Sequence, residues 1–316
     1  MARTIGVKLL LLIPVIFLVS VATFMMTELL PGDPAYAILG DQATPERVAV
    51  VREQLGLDKP IVERYIDWAG DALHGDLGRS LTSNQPVWEA FKERLPVTLQ
   101  LAVMAQVMAL VIAIPFGAWS AWRARGYFDR ATSTFNFAIV GLPPFLLGII
   151  LVYIFALHWE IFPVTGWERL TADLSANLEH AFLPALTLGL FEAAIYTQLL
   201  RGDMSATLQE DFVLSARARG LPSRHILLHE ALRPSSFSLI TLAGVNLGRL
   251  IGGTVIIESL FGLGGIGQLV TQAITRKDFP VLQGSVLILA VAYLLINTFV
   301  DVAYNFIDPR VRRGHT

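Results

Sequence analysis

The stretch VTLQLAVMAQVMALVIAIPFGAW, from Val97 to Trp119, contains no charged residue over 23 consecutive positions. A helix of that length spans the roughly 30 Å of hydrocarbon in a bilayer. Apolar and polar residues do not alternate along it, as they would in a strand of a membrane barrel. Because hydrocarbon offers no partners to backbone N–H and C=O groups, the segment must pair them internally as a helix. It therefore predicts a membrane span.

Five other runs have the same character, so the sequence predicts an all-α integral membrane protein with six transmembrane helices. The other five predicted spans are Ile5–Leu29, Thr134–Leu157, Ala181–Leu200, Ser236–Ile257 and Val281–Tyr304. The composition agrees, since 16% of the residues are charged, against roughly 25% in soluble domains. The net charge of −2 gives no indication of nucleic-acid binding, and without cysteine the chain has no disulfide or thiolate site.

The first run could be mistaken for a cleaved signal peptide, because Arg3 and Lys8 precede it. It is, however, long enough to cross a bilayer, and no small-x-small cleavage site follows it. We interpret it as a retained membrane anchor.

The distribution of basic residues predicts the orientation, because Lys and Arg accumulate in short cytoplasmic loops. The basic residues on one side are Arg3, Lys8, Arg123, Arg125, Arg130, Arg201, Arg217, Arg219, Arg224, Arg233, Arg310, Arg312 and Arg313. The short loops on the other side hold only Arg169, Arg276 and Lys277. Both termini are therefore expected in the cytoplasm.

With that orientation, the chain divides into four predicted parts. Residues 1–30 form the first helix, and residues 31–96 form a sizeable folded extracytoplasmic segment. Residues 97–307 form a five-helix transmembrane core that includes a cytoplasmic loop at about 201–235, and residues 308–316 form a cytoplasmic tail.

The 201–235 loop has the pattern of two short helices separated by a glycine. Asp211 suits the positive N-terminal end of a helix, and Gly220 can take the left-handed conformation that ends one. Pro222 suits the first turn of the next helix. A basic hairpin that only sets topology is one interpretation, and an element that docks into a groove of a cytoplasmic partner is the other.

The loop resembles the "EAA" loop of ABC-importer permeases, in the version of the dipeptide, oligopeptide and nickel permeases. The matching residues are Asp211-Phe212-Val213, Ala216-Arg217-Ala218-Arg219-Gly220-Leu221 and Ala231-Leu232-Arg233. Leu214 and Ser215 stand where the general pattern has Glu and Ala. Six further motifs resemble the same family in order and spacing: Leu29–Pro34, Gly56–Pro60, Gly75–Ser80, Leu95–Leu99, Asp278–Gly284 and Asp308–Arg312.

The resemblance implies the type I ABC-importer permease fold, a bacterial cell-membrane location and a set of partners. A second homologous permease would complete the path, and an extracytoplasmic binding protein would deliver substrate. Two cytoplasmic ATPase subunits would bind the ATP and magnesium, so this chain needs no cofactor. The docking residues implied by the resemblance are Asp211, Ala216, Arg217, Arg219, Gly220, Leu221 and Arg224.

Charged residues inside predicted spans are candidates for the translocation path, because a charge at the bilayer centre costs roughly 2.5–3.5 kcal/mol on insertion scales. Glu192 and Arg249 are the main candidates and Asp301 is a weaker one. A structural pair inside the bundle, or a side chain that reaches out from a helix end, is the alternative. Pro143 and Pro144 should interrupt their helix and mark either the path wall or a packing kink.

Gly262 to Gly267 matches the dinucleotide pattern G-x-G-x-x-G, but it follows a predicted span instead of a strand. A tight turn on the outer side is the preferred interpretation. The family resemblance assigns this region to an outer gate loop, with Glu258, Phe261, Gly264 and Gly265 as its candidates.

Neither a P-loop nor a hydrolase or metalloprotease motif occurs, so the chain is not expected to be an enzyme or to bind a metal. The expected function is that of a permease subunit in an ATP-driven importer of di- or oligopeptides. Nickel chelates, glutathione and haem remain alternative substrates. A stand-alone proton-coupled transporter or channel, with Glu192 as its proton site, is the rival function.

Overall fold

The computed structural model describes residues 2–29, 34–39, 43–54 and 56–307, without the side chains of residues 2–9, 27–29, 34, 37–38, 51, 54 and 301–307. Over these ranges the secondary structure is helical, apart from one isolated bridge between Arg79 and Pro86. The α-helices are α1 Ala2–Leu29, α2 Pro34–Leu39, α3 Pro45–Gln54, α4 Ile61–Leu73, α5 Val87–Trp122, α6 Tyr127–Gly141, α7 Pro144–Leu151, α8 Leu174–Thr207, α9 Asp211–Ala218, α10 Ser223–His225, α11 Leu232–Gly253, α12 Val255–Phe261, α13 Ile266–Arg276 and α14 Phe279–Ile307. Two π-helical stretches are π1 Val152–His158 and π2 Ile226–Ala231.

The all-α fold class is confirmed. Three single helices in the described part of the chain are long and apolar enough to cross a membrane: α5, α8 and the Phe279–Val300 part of α14. Two bent helix pairs raise that number to five if each pair is one span. The described apolar part of α1, Leu10–Met26, is shorter than a full span. The six-span count therefore stays a prediction.

The third predicted span is not straight. It consists of α6 and α7 with π1, and the two arms are bent by 109°. The break lies at Leu142 and Pro143, both in extended backbone, and α7 starts at Pro144. Two successive prolines lack N–H donors and exclude the helical conformation from the preceding residue, which explains why the helix ends there. The fifth span is also broken, by 52° between Gly253 and Val255.

One compact unit comprises Met1–Thr98 and Gly264–Leu295. Its core contains Leu77, Val87, Ala90, Leu269, Ala273, Val281 and Leu282. Helix α14 comes very close to the start of α5, because a Cβ added at Gly284 would lie 2.6 Å from Val87 Cγ1. A glycine is therefore required at that crossing.

The segment expected to fold outside the membrane, residues 31–96, carries α2, α3 and α4. Helix α4 packs on α1, where Tyr65 Oη and Ser20 Oγ are 2.8 Å apart and the Tyr65 ring lies edge-on to Phe24. The hydrogen bond to Asp67, at 2.7 Å, raises the pKa of Lys59. Helix α5 already begins at Val87, so the boundary predicted at residue 96 falls inside a helix.

The other compact unit comprises Leu99–Leu263 and Ile296–Thr316. Helix α8 is its centre and packs on α6, α7 and α11. Its contact with α5 depends on small residues, since a Cβ added at Gly189 would lie 3.0 Å from the Ala105 carbonyl oxygen. One added at Gly117 would lie 3.1 Å from the Thr197 carbonyl oxygen. Close backbone approach at glycine is the usual way that membrane helices pack.

Candidate functional site

The 201–235 loop contains the helix–glycine–helix arrangement that its sequence predicts. Helix α9 covers Asp211–Ala218, and Gly220 follows with φ +76°. The Gly220 and Leu221 amides donate to the carbonyls of Arg217 and Ala216, which closes the end of α9. Pro222 then precedes α10, which contains Arg224. Gly220 turns the chain because it adopts a left-handed backbone conformation, which only glycine adopts without strain.

The loop is anchored through one of its faces. Val213 and Ala216 of α9 are buried together with Ile226 and Ala231 of π2. They belong to one hydrophobic cluster with residues of α5 and α8, including Ala121, Leu200 and Met204. Of the predicted docking residues, Ala216 is thus a packing residue. Asp211, Arg217, Arg219, Gly220 and Arg224 are exposed, and Leu221 is half-buried.

A cavity of about 480 Å³ lies between the loop and the end of α5. Its lining residues are Trp122, Arg217, Leu221, Ser223 and Ile226. The Arg217 guanidinium carbon stands 5.5 Å from the centre of the Trp122 ring, which is a cation–π contact. Arg217 therefore connects the loop to the transmembrane helix while its charge stays on the surface.

Glu192 and Arg249 lie together in the second unit. Arg249 Nη2 donates to Glu192 Oε1 at 2.6 Å, and Asn246 Nδ2 donates to Glu192 Oε2 at 2.7 Å. The Glu192 side chain is 4% exposed and that of Arg249 is 53% exposed. Of these two candidates, the acid is buried behind the base, and the Arg249 side chain alone is open to its surroundings. The side chain of Asp301, the third charged candidate, lies outside the described residues.

Pro143 and Pro144 determine the direction of α7, which packs on α8 and α12. Its Gly148 lies where an added Cβ would be 3.0 Å from Leu260 Cδ2 and 3.5 Å from Phe261 Cε2. The proline break thus brings α7 against two residues of the predicted gate region. The described contacts do not join this bend to the Glu192–Arg249 pair.

The gate candidates Glu258 and Phe261 belong to the second unit and are fully buried there. Thr254 Oγ1 donates to Glu258 Oε1 at 2.8 Å, and the Gly166 amide donates to the Phe261 carbonyl at 3.3 Å. Gly262 ends α12 with φ +63°. These contacts hold the end of α12 firmly in place.

Gly264 and Gly265 belong to the first unit. Gly264 has φ +71°, and Gly265 precedes the first residue of α13, Ile266. The Ile266 amide donates to Thr98 Oγ1 at 2.9 Å. The G-x-G-x-x-G pattern thus follows helix α12, so the strand that a dinucleotide site requires is not there.

One buried polar site was missed by the sequence interpretation, although both motifs that form it were recognised. The Asp278 carboxylate, in a residue that is 3% exposed, accepts hydrogen bonds from Ser80 Oγ at 2.5 Å, Thr82 Oγ1 at 3.0 Å and the Leu81 amide at 3.1 Å. We refer to it as the Asp278 clamp. Neither motif alone indicates that the other is its partner.

A second ion pair connects α6 and α8. Arg201 holds the Asp129 carboxylate through two nitrogens, with Nη2 at 2.8 Å from Oδ2, and the Arg125 amide donates to the same carboxylate. From the sequence alone, Arg125 and Arg201 indicate only the orientation of the chain in the membrane. Within the described ranges, no three His, Asp or Glu side chains are grouped in a way that could hold a metal ion.

Two family models match the chain. The model described as "Binding-protein-dependent transport system inner membrane component" matches residues 113–313. The model of the N-terminal part of such membrane components matches residues 1–102. Together they cover nearly the whole sequence.

Curated relatives match over almost their full length. A probable peptide ABC transporter permease protein, y4tP of Sinorhizobium fredii, is 36% identical over 95% of this chain and 96% of its own. A putative peptide transport system permease protein of Brucella abortus is 38% identical over the same shares. The dipeptide transport system permease protein DppB of Escherichia coli K12 is 32% identical over 96% of both chains.

Among solved structures, a chain of the MetNI methionine ABC transporter, crystallised in inward-facing conformations, is similar in fold. The TM-score is 0.58 at 15% sequence identity, and the match covers 69% of this chain and 96% of that chain. At that level of identity the similarity concerns the fold alone.

Proposed function

Since this chain belongs to the family of binding-protein-dependent transport system inner membrane components, we propose that it forms half of the translocation path of an ATP-driven importer of di- and oligopeptides. The family and the apolar helices make it a multi-pass membrane permease subunit. The names of the relatives from Sinorhizobium, Brucella and Escherichia, all peptide or dipeptide permeases, support peptides as the substrate.

The 201–235 loop is the element through which this permease would contact its ATPase. The observation that supports this role is that the loop has one buried face and one exposed face. One face is anchored in the cluster formed with α5 and α8, while Gly220 and three arginines stay exposed on the other. A movement imposed on the exposed face would therefore reach two transmembrane helices through packed side chains. Coupling requires such differential contacts between two states.

The remaining parts of the importer follow from this proposal. A second homologous permease completes the path, two cytoplasmic ATPase subunits bind ATP and magnesium, and an extracytoplasmic protein delivers the peptide. Both termini and the 201–235 loop face the cytoplasm, and the 31–96 segment and the 258–265 gate face outward. Glu192, Arg249, Pro143 and Pro144 belong to the path or its wall.

The test is purification of the tagged chain in mild detergent, with its partners identified by mass spectrometry. The informative variant is Gly220→Trp. The matched control is Gly75→Trp, because Gly75 also has a positive φ, +87°, and an added Cβ would meet no atom within 4 Å at either glycine. Both changes introduce the same kind of backbone strain, about 1–2 kcal/mol. Only the Gly220 change alters the proposed docking face.

The expected result is recovery of P-loop ATPases and a second permease with the wild-type chain and with Gly75→Trp. Gly220→Trp should lose the ATPases and keep the second permease. Recovery of a transport-competent chain without partners would contradict the importer and favour the proton-coupled transporter. Equal loss of ATPases in both variants would show that strain, and not the docking face, is responsible.

A further inference from the structure

The Glu192–Arg249 pair is asymmetric. Both Glu192 carboxylate oxygens accept hydrogen bonds, one from Arg249 Nη2 and one from Asn246 Nδ2. The Glu192 side chain is buried, whereas that of Arg249 is half exposed. Among the described residues, no hydrogen-bond partner is present for Arg249 Nε or Nη1. Glu192, itself held by Asn246, takes one of the two N–H groups of Arg249 Nη2. The other N–H of Nη2, together with the neighbouring N–H of Nη1 or Nε, therefore leaves one edge of the guanidinium open.

The open edge of Arg249 lies beside free space. Val245, Gly252 and Gly253 are also exposed on α11, at spacings that place them on the same helix face as Arg249. A Cβ added at Gly252 or Gly253 would meet no atom within 4 Å. A guanidinium on a spanning helix does not face hydrocarbon without a large penalty, so this face lines either water or another protein surface.

The interior behind the pair is polar as well. Tyr196 Oη donates to Gln106 Oε1 at 3.2 Å, and both residues are buried. Gln106 Nε2 is buried with no hydrogen-bond partner in the part of the chain that the structure describes. Buried amides of this kind usually bind water or a ligand oxygen. Gln106 of α5 and Tyr196 of α8 thus form a second buried polar contact in the same compact unit as the pair.

We propose that Arg249 recognises the C-terminal carboxylate of the peptide as it passes through the permease. This rests on the proposed function, because it takes a peptide as the substrate. A planar guanidinium with two free donors on one edge matches a carboxylate in a bidentate geometry. Glu192 is too deeply buried to meet a peptide ammonium group. The site therefore binds the carboxyl end of the peptide and not its amino end.

The absence of cysteine permits a direct test. Gly252→Cys introduces the single thiol of this chain at a position where a side chain has room. The assembled importer is placed in lipid nanodiscs without nucleotide, and labelling of this thiol by a neutral, water-soluble reagent is timed. Dialanine and dialanine amide are the two probes, because they differ only in the C-terminal carboxylate.

Dialanine should slow the labelling at least about tenfold, and dialanine amide should not, since a charge-assisted bidentate contact is lost with the carboxylate. Arg249→Gln in the same background should abolish the protection. Three outcomes would overturn the proposal: no labelling in the assembled importer, equal protection by both probes, or protection that survives Arg249→Gln.

A second variant covers the case in which Arg249→Gln fails to fold because Glu192 is left buried without its cation. Gly252→Met fills the space beside the guanidinium and leaves the ion pair intact. It should reduce peptide uptake at least about tenfold while the ATPases still co-purify; uptake at the wild-type rate would contradict the site. A failure of the proposed function itself is distinguishable, because it appears in the unmodified chain as missing ATPases or missing peptide uptake.

Discussion

At the scale of single residues, this protein buries carboxylates in two chemically different ways. Asp278 is satisfied by three neutral donors, two hydroxyls and one amide, and no cation is among these bonds. Asp129 is satisfied by the Arg201 guanidinium together with a backbone amide. Removing either acid leaves different groups behind, so the two sites should respond differently to substitution.

Asp278→Ala should destabilise the first unit strongly. It leaves the buried Ser80 hydroxyl without its acceptor, which costs about 1–3 kcal/mol. It also removes the acceptor of the half-buried Leu81 amide and of the hydroxyl of the exposed Thr82. Limited proteolysis of the purified protein should show earlier cleavage in the 56–86 region. The control is Asp76→Ala, since Asp76 is exposed and accepts one bond from the Gly78 amide. Equal cleavage rates in both variants would contradict this role of the clamp.

Asp129→Asn should lower the thermal stability of the detergent-purified protein, because it leaves the Arg201 charge without its counter-ion between α6 and α8. Removal of one partner of a fully buried pair costs about 3–5 kcal/mol. The cost here should lie below that range, because the Arg201 side chain is 34% exposed and water can partly solvate its charge. Asp58→Asn breaks the exposed pair with Arg52 and should cost less than about 1 kcal/mol. The two melting temperatures decide the prediction, which fails if they shift equally.

At the scale of elements, α5 and α8 pack closely because the glycines at their contact, Gly117 and Gly189, have no side chain. Gly189→Leu should separate them, because its Cβ alone would lie 3.0 Å from a backbone carbonyl of α5, which cannot move aside as a flexible side chain can. Gly202→Leu on the same helix is the control, since an added Cβ there meets no atom within 4 Å. Membrane abundance and melting temperature should fall for Gly189→Leu only. A normal Gly189→Leu protein would show that the contact is loose.

The local features of these elements could be read from the sequence, whereas their pairing could not. The break before Pro144, the left-handed turn at Gly220 and the apolar runs all result from the chemistry of neighbouring residues. The contact of Ser80 with Asp278, by contrast, joins residues 198 positions apart. No periodicity encodes such a partner, and the same holds for the position of Glu192 behind Arg249. Long-range packing decides these contacts.

At the scale of the whole molecule, the compact units do not follow the order of the chain. The first unit combines the N-terminal 98 residues with Gly264–Leu295, although the two family models divide the chain near residue 102. Four of the seven residues in the cluster around Leu77 and Val87 lie on α13 and α14. We therefore expect that the N-terminal part does not fold by itself.

A chain that stops after Leu263 should lose the structure of its 56–86 region, since Leu269, Ala273, Val281 and Leu282 no longer cover Leu77 and Val87. A chain that stops after Leu295 keeps both parts of the first unit and is the matched control. Protease digestion of the two solubilised proteins should cleave the shorter chain within 56–86 and spare the longer one. Equal resistance would show that the N-terminal part is independent.

The Asp278 clamp also has a consequence for biosynthesis. Ribosomes add roughly 5–20 residues per second, so the 198 residues between Ser80 and Asp278 take about 10–40 s to make. Throughout that interval Ser80, Leu81 and Thr82 have been synthesised while their acceptor does not yet exist. Until Asp278, the residue just before α14, has been synthesised, the region around Ser80 of the nascent chain cannot form its native hydrogen bonds. Quality-control proteases can cleave that region during this interval.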